Sequence, residues 1–174
     1  MLRIPLPIFL KKDNLIKQKV TNDDIAIDMT IGNGKDTLFL TSICKFVYGF
    51  DIQEEAIENT YELLNKANVE NYKLILSSHE NVRNYVNEKV KAIIFNLGYL
   101  PTGDKSITTK TNSTINAINE SLKLIDKKGV IVIVCYPGHE EGKKESSKEE
   151  SKEGYAMGFK VASPEEFKDL TGMS

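Results

Sequence analysis

The chain has 174 residues, 40% of them hydrophobic, which is enough for one domain around one core and does not call for a second. Lys and Arg (23) nearly balance Asp and Glu (25), so a global basic field is excluded and any nucleic-acid partner must be met by a local patch. The two cysteines, Cys44 and Cys135, lie far from each other, and a lone cysteine near His139 makes no ligand set, which excludes a disulfide framework and a zinc site and points to a reducing, cytoplasmic setting.

The apolar residues of the first ten positions are interrupted by Arg3, Pro5 and Pro7, so neither a signal peptide nor a membrane span is expected. Ile8 to Val20 carries apolar residues near helical spacing and predicts a short leading helix. Ile25, Ala26 and Ile27 then predict a strand ending in Asp28, followed by the turn Gly32-Asn33-Gly34 and a helix with Asp36 in its first turn. Lys45 to Phe50 is a second strand, ending in Asp51. Gln53 to Asn68 places Ala56, Ile57, Tyr61, Leu64 and Ala67 on one helical stripe. Tyr72 to Leu76 is a third strand, and Val82, Tyr85 and Val86 predict a short helix after it.

Val90 to Phe95 is a fourth strand, leading into Asn96-Leu97-Gly98-Tyr99 and a Gly, Lys, Ser and Thr-rich loop up to Thr114. Ile115 to Ile125 is a helix stopped by Gly129, and the continuous apolar run Val130 to Tyr136 reads as a central strand covered on both faces. Residues 140–154 lack any apolar side chain and read as a polar, charged loop. Tyr155 to Ala162 is an apolar patch, and Ser163-Pro164-Glu165-Glu166 resembles a helix start. Strands alternating with helices predict a single α/β domain over 1–174, with a Rossmann-like, doubly wound, mostly parallel sheet and a ligand beyond the strands' carboxyl ends.

The glycine turn lets a ligand approach bare backbone N–H groups, and the helix that follows favours negative charge there. Asp51, about twenty residues on, can accept hydrogen bonds from both hydroxyls of a ribose. Polar groups follow every predicted strand: Asp28 to Asp36, Asp51 to Gln53, Ser78 to Glu80, Asn96 to Tyr99, and Tyr136 to His139. In a parallel sheet these five share one edge. At Asn96 an amide oxygen and a neighbouring carbonyl can accept hydrogen bonds from an amine and aim its lone pair at an electrophile, while Tyr99 can pack on a flat base. Such a group suits a nitrogen nucleophile.

These residues carry a resemblance. Asp28-x-Thr30-x-Gly32-Asn33-Gly34-x-Asp36-Thr37-Leu38-Phe39-Leu40, Gly49-Phe50-Asp51-Ile52-Gln53, Ser78-His79-Glu80-Asn81, Phe95-Asn96-Leu97-Gly98-Tyr99-Leu100-Pro101 with Gly103 to Lys110, and Tyr136-Pro137-Gly138-His139 are similar to the bacterial family labelled putative rRNA methylase. The similarity covers residues 20–144. It implies a class I methyltransferase with S-adenosyl-L-methionine as cofactor, acting on the aminomethyl group of a modified wobble uridine in the anticodon region of tRNA. It further implies that Gly32, Asn33 and Gly34, with Asp28 and Asp36 beside them, face the cofactor's methionine end. Asp51 and Gln53 would face the ribose, and Ser78 with His79 the adenine side. Asn96, Leu97 and Tyr99 occupy the place of the Asn-Pro-Pro-Tyr type motif of amino-methyltransferases, with Leu97-Gly98 in place of the two prolines.

The positively charged sulfonium makes its methyl group electrophilic, so such a protein chiefly aligns an unprotonated nitrogen and excludes water; no metal is required. His139, Asp28 and solvent are all candidates to receive the amine's proton, and the sequence does not choose among them. Lys105, Lys110, Lys143 and Lys144 are expected to meet RNA phosphates, with Tyr136 on the same substrate side. The rivals are an rRNA or small-molecule methyltransferase of the same fold, a cofactor-binding module without catalysis, and a nicotinamide oxidoreductase, which the missing third glycine and the Asn96 to Tyr99 group disfavour. The chain departs from the family's usual ending of a further helix and two strands, which leaves open a sheet short by two, with an edge exposed or covered by a second copy in a homodimer.

Overall fold

The computed structural model describes residues 2–4, 8–99, 105–136 and 155–160, with side chains placed for 12–97 and 112–134. The elements are β1 (Leu2–Ile4), α1 (Ile8–Lys17), β2 (Ile25–Asp28), α2 (Lys35–Ile43), β3 (Phe46–Asp51), α3 (Glu54–Lys66), β4 (Tyr72–Leu76), a 3-10 helix (His79–Asn84), β5 (Val90–Tyr99), α4 (Lys105–Leu124), β6 (Ile125–Tyr136) and β7 (Tyr155–Lys160). They build one seven-stranded sheet in the order β1-β7-β6-β5-β2-β3-β4. Strands β2 to β6 pair in parallel, β7 runs antiparallel to β6, and β1 runs antiparallel to β7.

Alternation along the central strands explains the two-sided core. On β5, Ile93 and Phe95 face one cluster and Ala92 and Ile94 the other; on β6, Ile131 and Ile133 face the first and Val130, Val132 and Val134 the second. The first cluster takes in Ile118 and Leu124 of α4 together with Val82 of the 3-10 helix, and the second takes in Ile16 of α1 and Leu40 of α2. A sheet covered on both faces needs near-continuous apolar strands, which is why Val130 to Val134 contains no polar residue.

Three expectations are corrected. Of the last two strands, one is present among the described residues: Tyr155–Lys160 forms β7 against β6, and its other side is paired by the N-terminal Leu2–Ile4, from Leu2↔Gly158 to Ile4↔Ala156. The Ser and Thr-rich stretch before Thr114 is not a loop from Lys105 onward but the first half of the 20-residue α4. Serine and threonine cost only about 0.5 kcal/mol each in a helix, less than the packing of a long helix returns. At the other end α4 stops at Leu124, and Ile125 already pairs with Val90, so Gly129 lies in an irregularity of β6 rather than at a helix stop. A Cβ at Gly129 would come within 2.8 Å of the Lys91 carbonyl oxygen, so glycine answers a close strand approach there. The charged stretch 140–154 and the expected helix start at Ser163 lie outside the described residues.

Candidate cofactor and substrate site

The chain leaves β2 at the point where the sheet's connections reverse direction. Past Asp28, the Met29 N–H donates to the Ile94 carbonyl on β5 (2.9 Å), while the Ile31 N–H donates to the Phe50 carbonyl on β3 (3.1 Å). The backbone is thus pulled alternately to both neighbours before it turns. Such a switch point is where open parallel sheets place their ligands.

The turn is held from three sides. Gly32 has φ +55° and Gly34 φ +82°, both left-handed values that favour glycine. Asn33 Oδ1 accepts the Lys35 N–H (3.1 Å), and Asp51 Oδ2 accepts the Gly32 N–H (2.9 Å) while Asp51 Oδ1 accepts that of Gln53 (2.9 Å). Gly34, the residue before α2, has no side chain to cap the helix, and of the first-turn N–H groups Asn33 takes that of Lys35. A Cβ on Gly32 would meet only the Thr30 carbonyl oxygen, at 3.9 Å, so space lies open beside the turn. On Gly34 it would strike Thr60 Oγ1 at 2.5 Å, because α3 packs directly against this point.

Asp28 stands behind the turn. It is fully buried, Oδ2 accepting the Thr37 hydroxyl (2.7 Å) and Oδ1 the Thr30 N–H (3.1 Å). Burial, reinforced by the neighbouring Asp36, pushes its pKa up to about 7, against the downward pull of the two hydrogen bonds and Lys12. Asp36 pairs with Lys12 of α1, a lysine only 1% exposed. In this arrangement Asp28 accepts from Thr30 and Thr37 and Asp36 pairs with Lys12, so the two carboxylates brace the turn from within.

His79 folds back toward β2. Its Nδ1 lies 3.0 Å from the Met29 carbonyl oxygen, which can only accept, so Nδ1 carries the proton. Its ring meets Phe95 edge to face at 5.6 Å, and burial lowers its pKa, favouring the neutral imidazole. Ser78 precedes it at the end of the β4 connection.

Asn96 lies on β5 one residue past Phe95. Its N–H donates to Thr30 Oγ1 (2.6 Å). It pairs with Val134 of β6 and Tyr99 pairs with Tyr136, three residues against two, so a bulge falls at Leu97-Gly98. Asn96 to Tyr99 is thus a bulged strand end and not a free turn. The side chains of Tyr99, Lys105, Lys110 and Tyr136 lie outside the described ones, as do His139, Lys143 and Lys144 entirely.

Four residues escaped the sequence reading. Thr30 and Thr37 sit inside the glycine motif without an assigned part. Ile52, which follows Asp51, is 68% exposed, an apolar side chain beside a ribose-type acceptor. Lys12 had a signal: it falls four residues before Ile16 and eight before Val20, on the apolar face of α1. Among the described residues no group of His, Cys, Asp and Glu could hold a metal, and no helix is long and apolar enough to cross a membrane.

A parallel β2–β6 sheet flanked by an antiparallel β7, with a glycine turn after β2 and an acidic residue closing β3, is the fold of the class I methyltransferases. Residues 47–152 match the family model described as putative rRNA methylase, and the chain belongs to that family. It is 36% identical over 142 residues to the chloroplastic tRNA (mnm(5)s(2)U34)-methyltransferase of Arabidopsis thaliana, covering 74% of this chain and 52% of that protein, about half its length. Among solved structures, an rRNA methylase from Streptococcus thermophilus has a TM-score of 0.71 at 34% identity, over 100% of this chain and 84% of that one. A putative methyltransferase from Streptococcus mutans, solved in complex with SAH, has a TM-score of 0.73 at 33% identity, over 91% of this chain and 99% of that one.

Proposed function

We propose that this chain methylates the aminomethyl group of a modified wobble uridine in tRNA, converting 5-aminomethyl-2-thiouridine to its methylaminomethyl form, with S-adenosyl-L-methionine as methyl donor. The observation that carries the reading is the meeting of a nucleoside-type cradle (Gly32, Asp51) with an asparagine at the adjacent strand end (Asn96) through Thr30. The Arabidopsis relative, named for tRNA mnm(5)s(2)U34 methylation, supports the substrate.

The residues fit the donor. Open space beside Gly32, the positive end of α2, the Asp51 carboxylate and the exposed Ile52 suit an amino acid carboxylate, a ribose and a flat base in turn. When bound, the donor supplies a methyl group made electrophilic by its sulfonium charge. The first turn of α2 would hold the carboxylate, the Gly32 N–H being given to Asp51, and the remaining lone pairs of the Asp51 carboxylate would accept from the ribose hydroxyls. The Asn96 amide oxygen accepts a hydrogen bond from the substrate amine and points its lone pair along the transfer axis. Asp28, buried and doubly hydrogen-bonded, is poorly placed to take the amine's proton, which leaves His139 or solvent. Lys105, Lys110, Lys143, Lys144 and Tyr136 contribute the RNA side, and Tyr99 packs on the base.

The test incubates the full chain with radiolabelled donor and tRNA bearing the unmethylated aminomethyl nucleoside, followed by nucleoside analysis. Label in methylaminomethyl-2-thiouridine supports the reading. Label in another nucleoside, or none in tRNA, overturns it.

A further inference from the structure

We infer that Thr30 is a positioning residue for the methyl transfer: its hydroxyl oxygen replaces a missing strand neighbour and fixes Asn96 against the cofactor turn. The β2–β5 ladder ends at Asp28↔Ile94, and its last rung runs from the Met29 N–H to the Ile94 carbonyl. Backbone groups two residues apart on a strand point the same way, so the Asn96 N–H also faces the β2 side, where β2 has already stopped. There Thr30 Oγ1 accepts it at 2.6 Å. A side chain thereby continues the ladder by one rung past the strand's end.

The placing of that hydroxyl is itself determined. The Thr30 N–H is held by Asp28 Oδ1 and the other oxygen of Asp28 by the Thr37 hydroxyl of α2, so one buried carboxylate sets Thr30 relative to the helix that follows the glycine turn. On the far side of Asn96 the strand bulges at once, between its pairings with Val134 and Tyr136. A bulge can slip when its neighbouring rung is weak, and slipping by one residue reverses the side to which Asn96 points. The Thr30 hydrogen bond is the rung next to it. Asn96 therefore inherits its orientation from the same carboxylate that braces the cofactor turn.

This inference rests on the amine-methylating role given to Asn96 above, and its test separates the two. Thr30→Val keeps the shape of the side chain and removes the acceptor, and Thr30→Ser restores it. Hydrogen exchange at the Asn96 amide, read by NMR on the full chain, should be slow in the wild type and Thr30→Ser and at least about tenfold faster in Thr30→Val. In single-turnover methylation of aminomethyl-bearing tRNA, Thr30→Val should lose about ten- to a hundredfold in rate while S-adenosylhomocysteine affinity stays within about threefold, with Thr30→Ser near wild type. Unchanged Asn96 exchange in Thr30→Val overturns the inference, as does an equal loss of affinity and rate, which would mark a structural role on the cofactor side alone. If the wild type leaves tRNA unmethylated, the proposed function fails, and the exchange ratio still decides whether Thr30 holds Asn96.

Discussion

The Asp51 carboxylate accepts the backbone N–H of Gly32 at 2.9 Å, joining two strand ends nineteen positions apart in sequence. One oxygen of a ribose-type acceptor is thereby committed to shaping the turn that receives the rest of the ligand. Replacing Asp51 by alanine should loosen both parts at once. Loss of charge-assisted hydrogen bonds worth roughly 1.5–3 kcal/mol predicts at least about a tenfold drop in S-adenosylhomocysteine affinity. Calorimetry on folded Asp51→Ala checks it, and unchanged affinity would remove Asp51 from the site.

Gly34 should tolerate alanine much less well than Gly32. Both need left-handed backbone, at about 1–2 kcal/mol for a side chain. Only Gly34 adds an overlap with Thr60, at 2.5 Å from its hydroxyl oxygen, worth about 1–3 kcal/mol more. Thermal unfolding should fall by roughly 5–15 °C in Gly34→Ala and less in Gly32→Ala. Equal shifts would show that α3 yields freely.

Asn96→Ala should separate rate from binding. Losing a positioning interaction realised mainly in the transition state costs on the order of 2.7–4 kcal/mol of barrier, a hundredfold or more in turnover. Cofactor affinity should hold. Parallel single-turnover and titration measurements distinguish this from a cofactor contact, for which both would fall together.

Asp28 makes stability depend on pH. Its folded pKa, about 7, lies above its ordinary value of 3.8, so between these values the native state holds a proton that the unfolded chain has released. Stability from this group is greatest below 3.8 and is lost as pH rises toward 7. Urea unfolding of the wild type and Asp28→Asn at pH 5 and 7.5 should show a difference that shifts in favour of the variant at the higher pH. His79, whose pKa is lowered, acts in the opposite sense below 6.5 and cancels in that comparison.

tRNA binding should weaken steeply with salt despite the formal charge of −2. If Lys105, Lys110, Lys143 and Lys144 meet phosphates, replacing all four with alanine should reduce the salt slope by about three on a double-logarithmic plot. Filter binding between 50 and 200 mM salt measures it. A slope unmoved by the quadruple variant would place the RNA elsewhere.

The glycine turn, Asp51 and the parallel core strands were legible because each depends on local spacing or on an unbroken apolar run. Thr30 and Lys12 were not, since each acts on a partner brought close only by the tertiary fold: Thr30 on Asn96, 66 positions away, and Lys12 on Asp36, 24 away. β7 escaped because Gly158 dilutes its strand character, and β1 because it is three residues long and Pro5 follows at once. The first half of α4 was misread for composition, where each serine and threonine argues weakly for a loop and the helix wins on length.

The pairing of Leu2 with Gly158 has a kinetic consequence. Strands β2, β3 and β4 pair with one another within a stretch of about fifty residues, so those contacts close short loops. β1 and β7 meet only after nearly the whole chain has been drawn together, which delays them on any pathway governed by loop closure. Ribosomal synthesis adds to that order, because β1 is made before β7 and waits for a partner made more than a hundred and fifty residues later. The half of the molecule that carries Gly32 and Asp51 is thus expected to consolidate before the far edge of the sheet. Pulse-labelled hydrogen exchange should find the amides of β2 and β3 protected ahead of those of β7.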